Sequence, residues 1–522
     1  MFDYIIVGAG SAGCVLANRL TENPDLSVLV LEAGQSDRSS AIHTPIAFSK
    51  LFKTEYDWAY ETEPQPHLNH RRMYCPRGKV LGGSSSLNAM IYIRGHRSNY
   101  DRWAQLGNSG WSFAEILPYF KKAERQERGA SYYHGSEGLL NVADLRDINP
   151  LSRVFVEAAV ELGFGRQPDF NGAEPDGIGF YQVTQKNGRR HSAAAAYLKP
   201  CLGRSNLTVR TGTQVTRLLW EGTRVVGLEY RGENGIDRAD VRREVILSAG
   251  AINSPQLLML SGVGAAETLK SFEIPVVVDL PGVGQNLQDH LIACTMWDCT
   301  QPQTLDNANN FGNVLKYLLF KRGALTSNVA EAGGFVKTRS NLAVPDIQFH
   351  FVPAYFFNHG LTKRKGFGVT LGATLLYPES RGYVGLQSAD PFAAPVVQPN
   401  YLSQEADLQT LMAGLNLARQ IIKAAAFDRY RGAEVFPDSS VRTETQIVEY
   451  LRQTIESIYH PVGTCKMGND SMAVVDSRLR VRGTQGLRVV DASIMPTIVG
   501  GNTNAPTIAI AEKAADSIWV DR

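Results

Sequence analysis

The 522-residue sequence lacks the marks of several protein classes. It has almost no charge excess: 53 Lys+Arg stand against 51 Asp+Glu, a formal balance of +2. Nucleic-acid binders usually carry a basic excess or stripe, so no nucleic-acid partner is expected. Its six cysteines, Cys14, Cys75, Cys201, Cys294, Cys299 and Cys465, include no CxxC pair. A disulfide framework or zinc site is therefore not expected in a chain this long, and no metal is assigned. No basic leader, apolar core or cleavage site follows Met1-Phe2-Asp3. A cytoplasmic location is expected on that ground, with peripheral membrane association left open. Two uncharged runs, Val245 to Ala266 and Ala492 to Ala511, approach the ~20 residues that a membrane span needs. They contain Asn253, Ser254, Pro255 and Gln256 in one, and Pro496, Gly500, Gly501, Asn502 and Asn504 in the other. That content suits backbone buried against a large body better than a transmembrane segment.

What is present is an ordinary globular balance, 43% hydrophobic and 20% charged, which excludes disorder as the dominant state. The length points to more than one domain. Glycine is in excess, at 48 residues or roughly 9%, against a typical ~7%. Much of it is in motifs. Asp3-Tyr4-Ile5-Ile6-Val7 reads as a buried parallel strand and ends in Gly8-Ala9-Gly10-Ser11-Ala12-Gly13. A helix follows from Cys14 to Leu20, then a second strand, Ser27 to Leu31, closed by Glu32 and Ala33. This is the βαβ dinucleotide fingerprint in its required context. Gly8 permits the turn, Gly10 admits a pyrophosphate, and Gly13 lets helix and strand pack closely. Glu32 accepts from a ribose diol. The fingerprint by itself leaves NAD and FAD open.

Five further blocks carry a resemblance. They are Gly78-Lys79-Val80-Leu81-Gly82-Gly83-Ser84-Ser85-Ser86-Leu87-Asn88, Gly250 to Gly264, Pro281 to His290, His460 to Gly468, and Val490 to Ser493 with Asn502 to Thr507. Together they resemble the glucose–methanol–choline oxidoreductases over residues 3 to about 516. The resemblance implies an α/β fold, α+β in the substrate part. A Rossmann-like FAD-binding domain would be joined to a substrate domain on a mostly antiparallel sheet. The domains would be discontinuous: 1–155, 205–295 and 456–522 bind FAD, and 156–204 and 296–455 build the substrate part. It implies FAD against Val80, Gly82, Gly83, Asn88, Ala89, Met90 and Ile91, with adenine on the backbone of Val215. Ala249, Asp491 and Ala492 would be further contacts. Some relatives bind flavin covalently through a histidine where this chain has Leu87, so non-covalent FAD is expected.

The resemblance also places a catalytic histidine at His460 and its polar partner at Asn504. A hydroxyl proton must leave before an alcohol gives up hydride, and neutral imidazole can take it. An amide orients oxygen but is no base. His460 is thus expected as the sole base, with Asn504 also touching FAD. Pro506 suits the first turn of a last helix whose N-terminus would face the flavin. His290 reads as part of a structural loop. His350 either lines the substrate pocket or is an ordinary sheet residue; Ile458 and Tyr459 flank the base and shape that pocket. A helix is expected over 404–424, and strands over 346–351 and 383–386. No acid that would hold a quaternary ammonium is identified. The expected reaction is oxidation of a primary or aryl alcohol to aldehyde or ketone, with dioxygen or a quinone-like carrier as acceptor. The alternative is a flavin-dependent lyase or light-driven decarboxylase on the same fold.

Overall fold

The structure, a computed structural model, describes residues 1–520. Tyr4, Ile5, Ile6 and Val7 have no polar alternation because both faces of their strand, Phe2–Val7, are covered. That strand lies inside a seven-stranded sheet. The order is Leu207–Arg210, Val28–Leu31, Phe2–Val7, Gly235–Leu247, Arg224–Gly232 and Gln214–Glu221, with Leu487–Val489 beside Gly235–Leu247. The first four run parallel, as does Leu487–Val489. Gly235–Leu247 serves two neighbours. Its first half pairs antiparallel with Arg224–Gly232, and its second half runs parallel to Phe2–Val7. The helices Ser11–Leu20 and Asn504–Val520 pack on each other against this sheet. The carboxyl ends of the parallel strands deliver Gly8, Glu32 and Ser248 to one rim, where open α/β sheets hold their ligands.

A second sheet is antiparallel throughout. Its order is Ala332–Val336, Ile347–Val352, Gly368–Leu375, Leu291–Cys299 and Arg431–Phe436, with Glu456–Ser457 also on Leu291–Cys299. The two-residue period of a strand sorts its side chains. Ile347, Phe349, Phe351, Val369, Leu371 and Ala373 enter a core with the helices Pro150–Glu161 and Glu405–Lys423. Their alternates Ile292, Cys294, His350, Val352, Thr370 and Gly372 face a cavity between the two sheets.

The helix expected over 404–424 is Glu405–Lys423, and the strand expected at 346–351 is Ile347–Val352. The strand expected at 383–386 forms as Gly382–Gly385 in a separate three-stranded sheet with Gln285–Leu287 and Val396–Gln398. The boundary placed after residue 155 falls inside the helix Pro150–Glu161, which packs as one piece on the second sheet. The segment 156–204 serves both cores: Ile178 enters the second, whereas Ala194, Tyr197 and Leu198 pack into the first. Among the described residues no helix is long and apolar enough to cross a membrane.

Candidate active site

The cavity holds about 2340 Å³ of empty space, counting the part open to solvent. Its deep end is built from two glycine turns. Gly8 has φ +97°, and a Cβ there would stand 2.6 Å from Ser248 O. A Cβ on Gly83 would stand 2.7 Å from Gly10 Cα, so the two turns touch. Gly10 differs: nothing lies closer than 3.9 Å to its Cβ position, because cavity lies in front of it. The helix that starts at Ser11 has no side-chain cap, which leaves first-turn N–H groups for an anion.

Of the expected cofactor contacts, Gly8, Gly10, Ser11, Ala12, Glu32, Ala33, Gly83, Asn88, Ala89, Met90, Ile91, Val215, Ala249, Asp491, Ala492 and Asn504 line this cavity. Gly13, Val80 and Gly82 are not among the lining residues, and each has a structural part. A Cβ on Gly13 would stand 1.9 Å from Gly8 O, so it seats helix on strand. Val80 is fully buried in a cluster with Ile42, Phe48 and Leu51. Gly82, at φ +91°, donates its N–H to Ala9 O. Glu32 accepts from the N–H groups of Ala9 and Gly34, both at 2.8 Å, and burial pushes its carboxyl up to about 7. Asp491 accepts from Gly250 N, Ser254 Oγ and Ser493 N, which ties three cavity-edge segments together.

At the other end stands His460. The residue bonded to its ring amide-side is Asn502, not Asn504: Asn502 Nδ2 is 3.3 Å from His460 Nε2. Asn504 begins the last helix, Asn504–Val520, and accepts from Ser11 Oγ at 2.7 Å, which bonds that helix start to the first glycine turn. The two asparagines are two residues apart, and Asn502 precedes the helix that Asn504 begins. The expected pairing of Asn504 with the base is therefore corrected.

His290, expected in a structural loop, is the other partner. Its Nδ1 lies 3.0 Å from His460 Nδ1, and its Nε2 lies 3.0 Å from Leu376 O. A carbonyl only accepts, so His290 Nε2 carries the proton and its Nδ1 is bare. His460 Nδ1 must then donate. This assigns the lone pair of His460 to Nε2, where Asn502 donates to it. Gln348 Nε2 donates to Asn502 Oδ1 at 3.2 Å and fixes that amide's orientation. Below the pair, the buried Asp289 accepts from the backbone N–H of His460 (2.7 Å) and of His290 (2.9 Å), from Tyr401 (2.6 Å) and from Ser457 (2.5 Å). Tyr459 takes a left-handed φ of +70° in the turn that presents His460.

Burial holds His460 well below the usual histidine range, helped by nearby His290, His350 and Arg77. Burial likewise pushes His290 down to about 4 and His350, beside His290, to about 3. The three rings are thus neutral at neutral pH. His350 is both a sheet residue and a wall residue: Thr374 Oγ1 lies 3.2 Å from its Nδ1, and its buried Nε2 has no partner. Ile458 and Tyr459 also line the cavity, with Phe48, Phe52, Phe356 and Val329. An acid missed in the sequence is there too. Glu456 lies on the wall, 3.4 Å from His359 Nδ1, and burial pushes it up to about 7.

A dinucleotide cradle facing a neutral, buried imidazole suits a flavin-dependent oxidoreductase, and the glycine turns and free helix start fit FAD. Comparison with known proteins agrees. The chain belongs to the GMC oxidoreductase family, whose sequence profiles match residues 2–292 and 378–511. It is 48% identical to an alcohol dehydrogenase [acceptor] of Pseudomonas putida over 99% of this chain and 96% of that one. It is 47% identical to mouse (Mus musculus) mitochondrial choline dehydrogenase, over 99% of this chain and 89% of that one. The crystal structure of pyridoxine 4-oxidase from Mesorbium loti superposes with a TM-score of 0.92 at 32% identity, covering 100% of this chain and 99% of the other.

Gly83→Ala should abolish most flavin loading, since the added methyl has only Gly10 Cα to displace and Gly83 already sits at φ +53°. The flavin absorbance per protein of the purified variant reads this directly; loading equal to wild type would contradict the touching-turn geometry.

Proposed function

We infer that His460 takes the alcohol proton at Nε2 while Asn502 donates to the substrate oxygen and sets its direction. The observation that carries this reading is the Nδ1–Nδ1 contact of His290 and His460, which leaves the lone pair on the one nitrogen not used by the protein's own histidine pair. FAD, when bound, supplies the hydride acceptor. Gly8, Gly10, Gly83 and the start of the helix Ser11–Leu20 would hold its phosphates, Glu32 its ribose, and Asn504 its ring end. Asp289 and His290 position the base and do not touch substrate. The apolar wall of Phe48, Phe52, Val329, Phe356 and Tyr459 supports a primary or aryl alcohol with an apolar body. Glu456 is an acid on that wall that a cationic substrate would face, and burial without such a cation raises its pKa to about 7. The predominantly apolar wall is the ground for favouring an uncharged substrate over a choline-like one. Leu87 lines the cavity with a side chain that has no nucleophile, which supports non-covalent FAD. Dioxygen or a quinone-like carrier reoxidises the flavin. The lyase or decarboxylase alternative draws support from no residue of the site.

Anaerobic mixing with a panel of alcohols should bleach the oxidised-flavin absorbance in the dark. His460→Ala should slow that bleaching by ~10²–10⁴-fold. Asn502→Ala should slow it by roughly 10- to 10³-fold, with Asn504→Ala acting mainly on flavin loading. No bleaching by any alcohol, or bleaching by His460→Ala at the wild-type rate, overturns the reading.

The pH dependence carries a sign. Protonated His460 cannot act as base, and burial lowers its pKa, so kcat/KM should stay level as pH falls through 6.5 and decline only below it. An acidic limb centred at or above 6.5 in wild-type profiles counts against the neutral-ring assignment. Dilute acid should release intact FAD into the supernatant; yellow colour retained in the precipitate would mean a covalent link.

A further inference from the structure

The helix Phe311–Phe320 turns its apolar side chains outward. Phe311 is 82% exposed, Leu315 44%, Leu318 62%, Leu319 64% and Phe320 66%, and only Tyr317 is buried. Positions 311, 315, 318 and 319 share one helical face. The other large apolar side chains that are exposed, among the described residues, are scattered singly along the chain. The helix is a well-made element. Asn310 Oδ1 accepts from Asn313 N at its start, and Lys321 ends it in the left-handed conformation. An apolar face of this kind on a polar surface marks a docking site.

The charge around it is mainly basic. Residues 307–330 contain Lys316, Lys321 and Arg322 and no Asp or Glu. Arg146 donates to Lys321 O at 3.1 Å. The turn carrying exposed Lys186 and Arg189 abuts the same end, since a Cβ on Gly188 would stand 2.3 Å from Lys321 O. The acid facing this group is Asp147, 3.7 Å from Lys316 Nζ and bonded to Gly323 N at 2.8 Å. From Phe320 the chain runs through Ala324–Thr326 to Asn328, Val329 and Ala330 on the wall of the active-site cavity.

We propose that this face docks in the plane of an anionic phospholipid bilayer, with Phe311, Leu315, Leu318 and Leu319 at the acyl boundary and the basic rim of Arg146, Lys186, Arg189, Lys321 and Arg322 on the headgroup phosphates. An outward apolar stripe with flanking cations is the pattern of an interfacial helix. A second copy of the chain is the rival occupant. Charge disfavours it, because a symmetric pairing through this face would bring two basic rims together. Docking would set the cavity wall at Asn328–Ala330 beside the membrane surface.

The test uses the flavin-loaded full chain, sedimented with vesicles of phosphatidylcholine plus phosphatidylglycerol or of phosphatidylcholine alone. Wild type should pellet with the anionic vesicles, less so with neutral ones, and less so as salt is raised. The double variant Leu318→Ser/Leu319→Ser should partition about tenfold to a hundredfold more weakly. It should keep the flavin absorbance and alcohol-driven bleaching of wild type, which separates failure of docking from failure of the assigned reaction. Wild type left in the supernatant with anionic vesicles overturns the proposal, as does a double variant that pellets like wild type. A wild-type dimer that the double variant converts to monomer, with neither binding vesicles, assigns the face to a second copy instead.

Discussion

One buried carboxylate holds together the end of the cavity where the proposed base stands. Asp289 accepts two backbone N–H groups, from His290 and His460, and two hydroxyls, from Tyr401 and Ser457. The two histidines are 170 residues apart in the chain, and the carboxylate brings their backbones to a common point. Four donors offset much of the cost of burying it, although burial still raises its pKa. Everything downstream follows from that anchor: the 3.0 Å contact of the two rings, the tautomer of His460, and the direction of its free nitrogen. The strained turn at Tyr459 is tolerated because Ser457 Oγ accepts from Tyr459 N while donating to the same carboxylate.

The glycine cradle was legible in the sequence because its constraints are local. Although the open space before Gly10 is bounded by the distant Ser248 and Gly83, a positive φ at Gly8 and a close approach of Gly13 to Gly8 O are set within the motif itself. The same holds for the parallel strands and the helix Glu405–Lys423, whose periodicity is plain. The histidine relay was not legible. His290 follows Asp289 in an unremarkable loop, and nothing within twenty residues of it names His460. Asn502 and Asn504 differ by one residue pair around the start of a helix, and which of them meets the base depends on where that helix begins. Glu456 escaped because it sits in a two-residue strand, Glu456–Ser457, that forms only by pairing with Leu291–Cys299.

The second sheet shows why its residues could not be sorted from sequence by polarity. One face is a conventional apolar core of Ile347, Phe349, Phe351, Leu371 and Ala373 against two helices. The cavity face carries Ile292, Cys294, Val352, Thr370, Gly372 and one histidine, so it too is mostly apolar. Alternation is hidden when both faces avoid water, one against protein and the other against ligand. His350 breaks the pattern, and its buried Nε2, like Gln348 Oε1 on the same strand face, has no protein partner.

The electrostatics of the base follow from what is not beside it. In a Ser-His-Asp arrangement a carboxylate lies on the imidazole and stabilises the imidazolium. Here the carboxylate of Asp289 meets the backbone of His460, and the ring meets a second neutral imidazole instead. That imidazole can accept from Nδ1 and pass polarity on to Leu376 O, but it brings no charge. His460 therefore stays unprotonated across neutral pH, at the expense of basicity. In the proposed reaction the proton leaves the alcohol for Nε2, the nitrogen that the contact with His290 leaves bare. Burial thus keeps that nitrogen unprotonated, and the histidine pair sets which nitrogen it is.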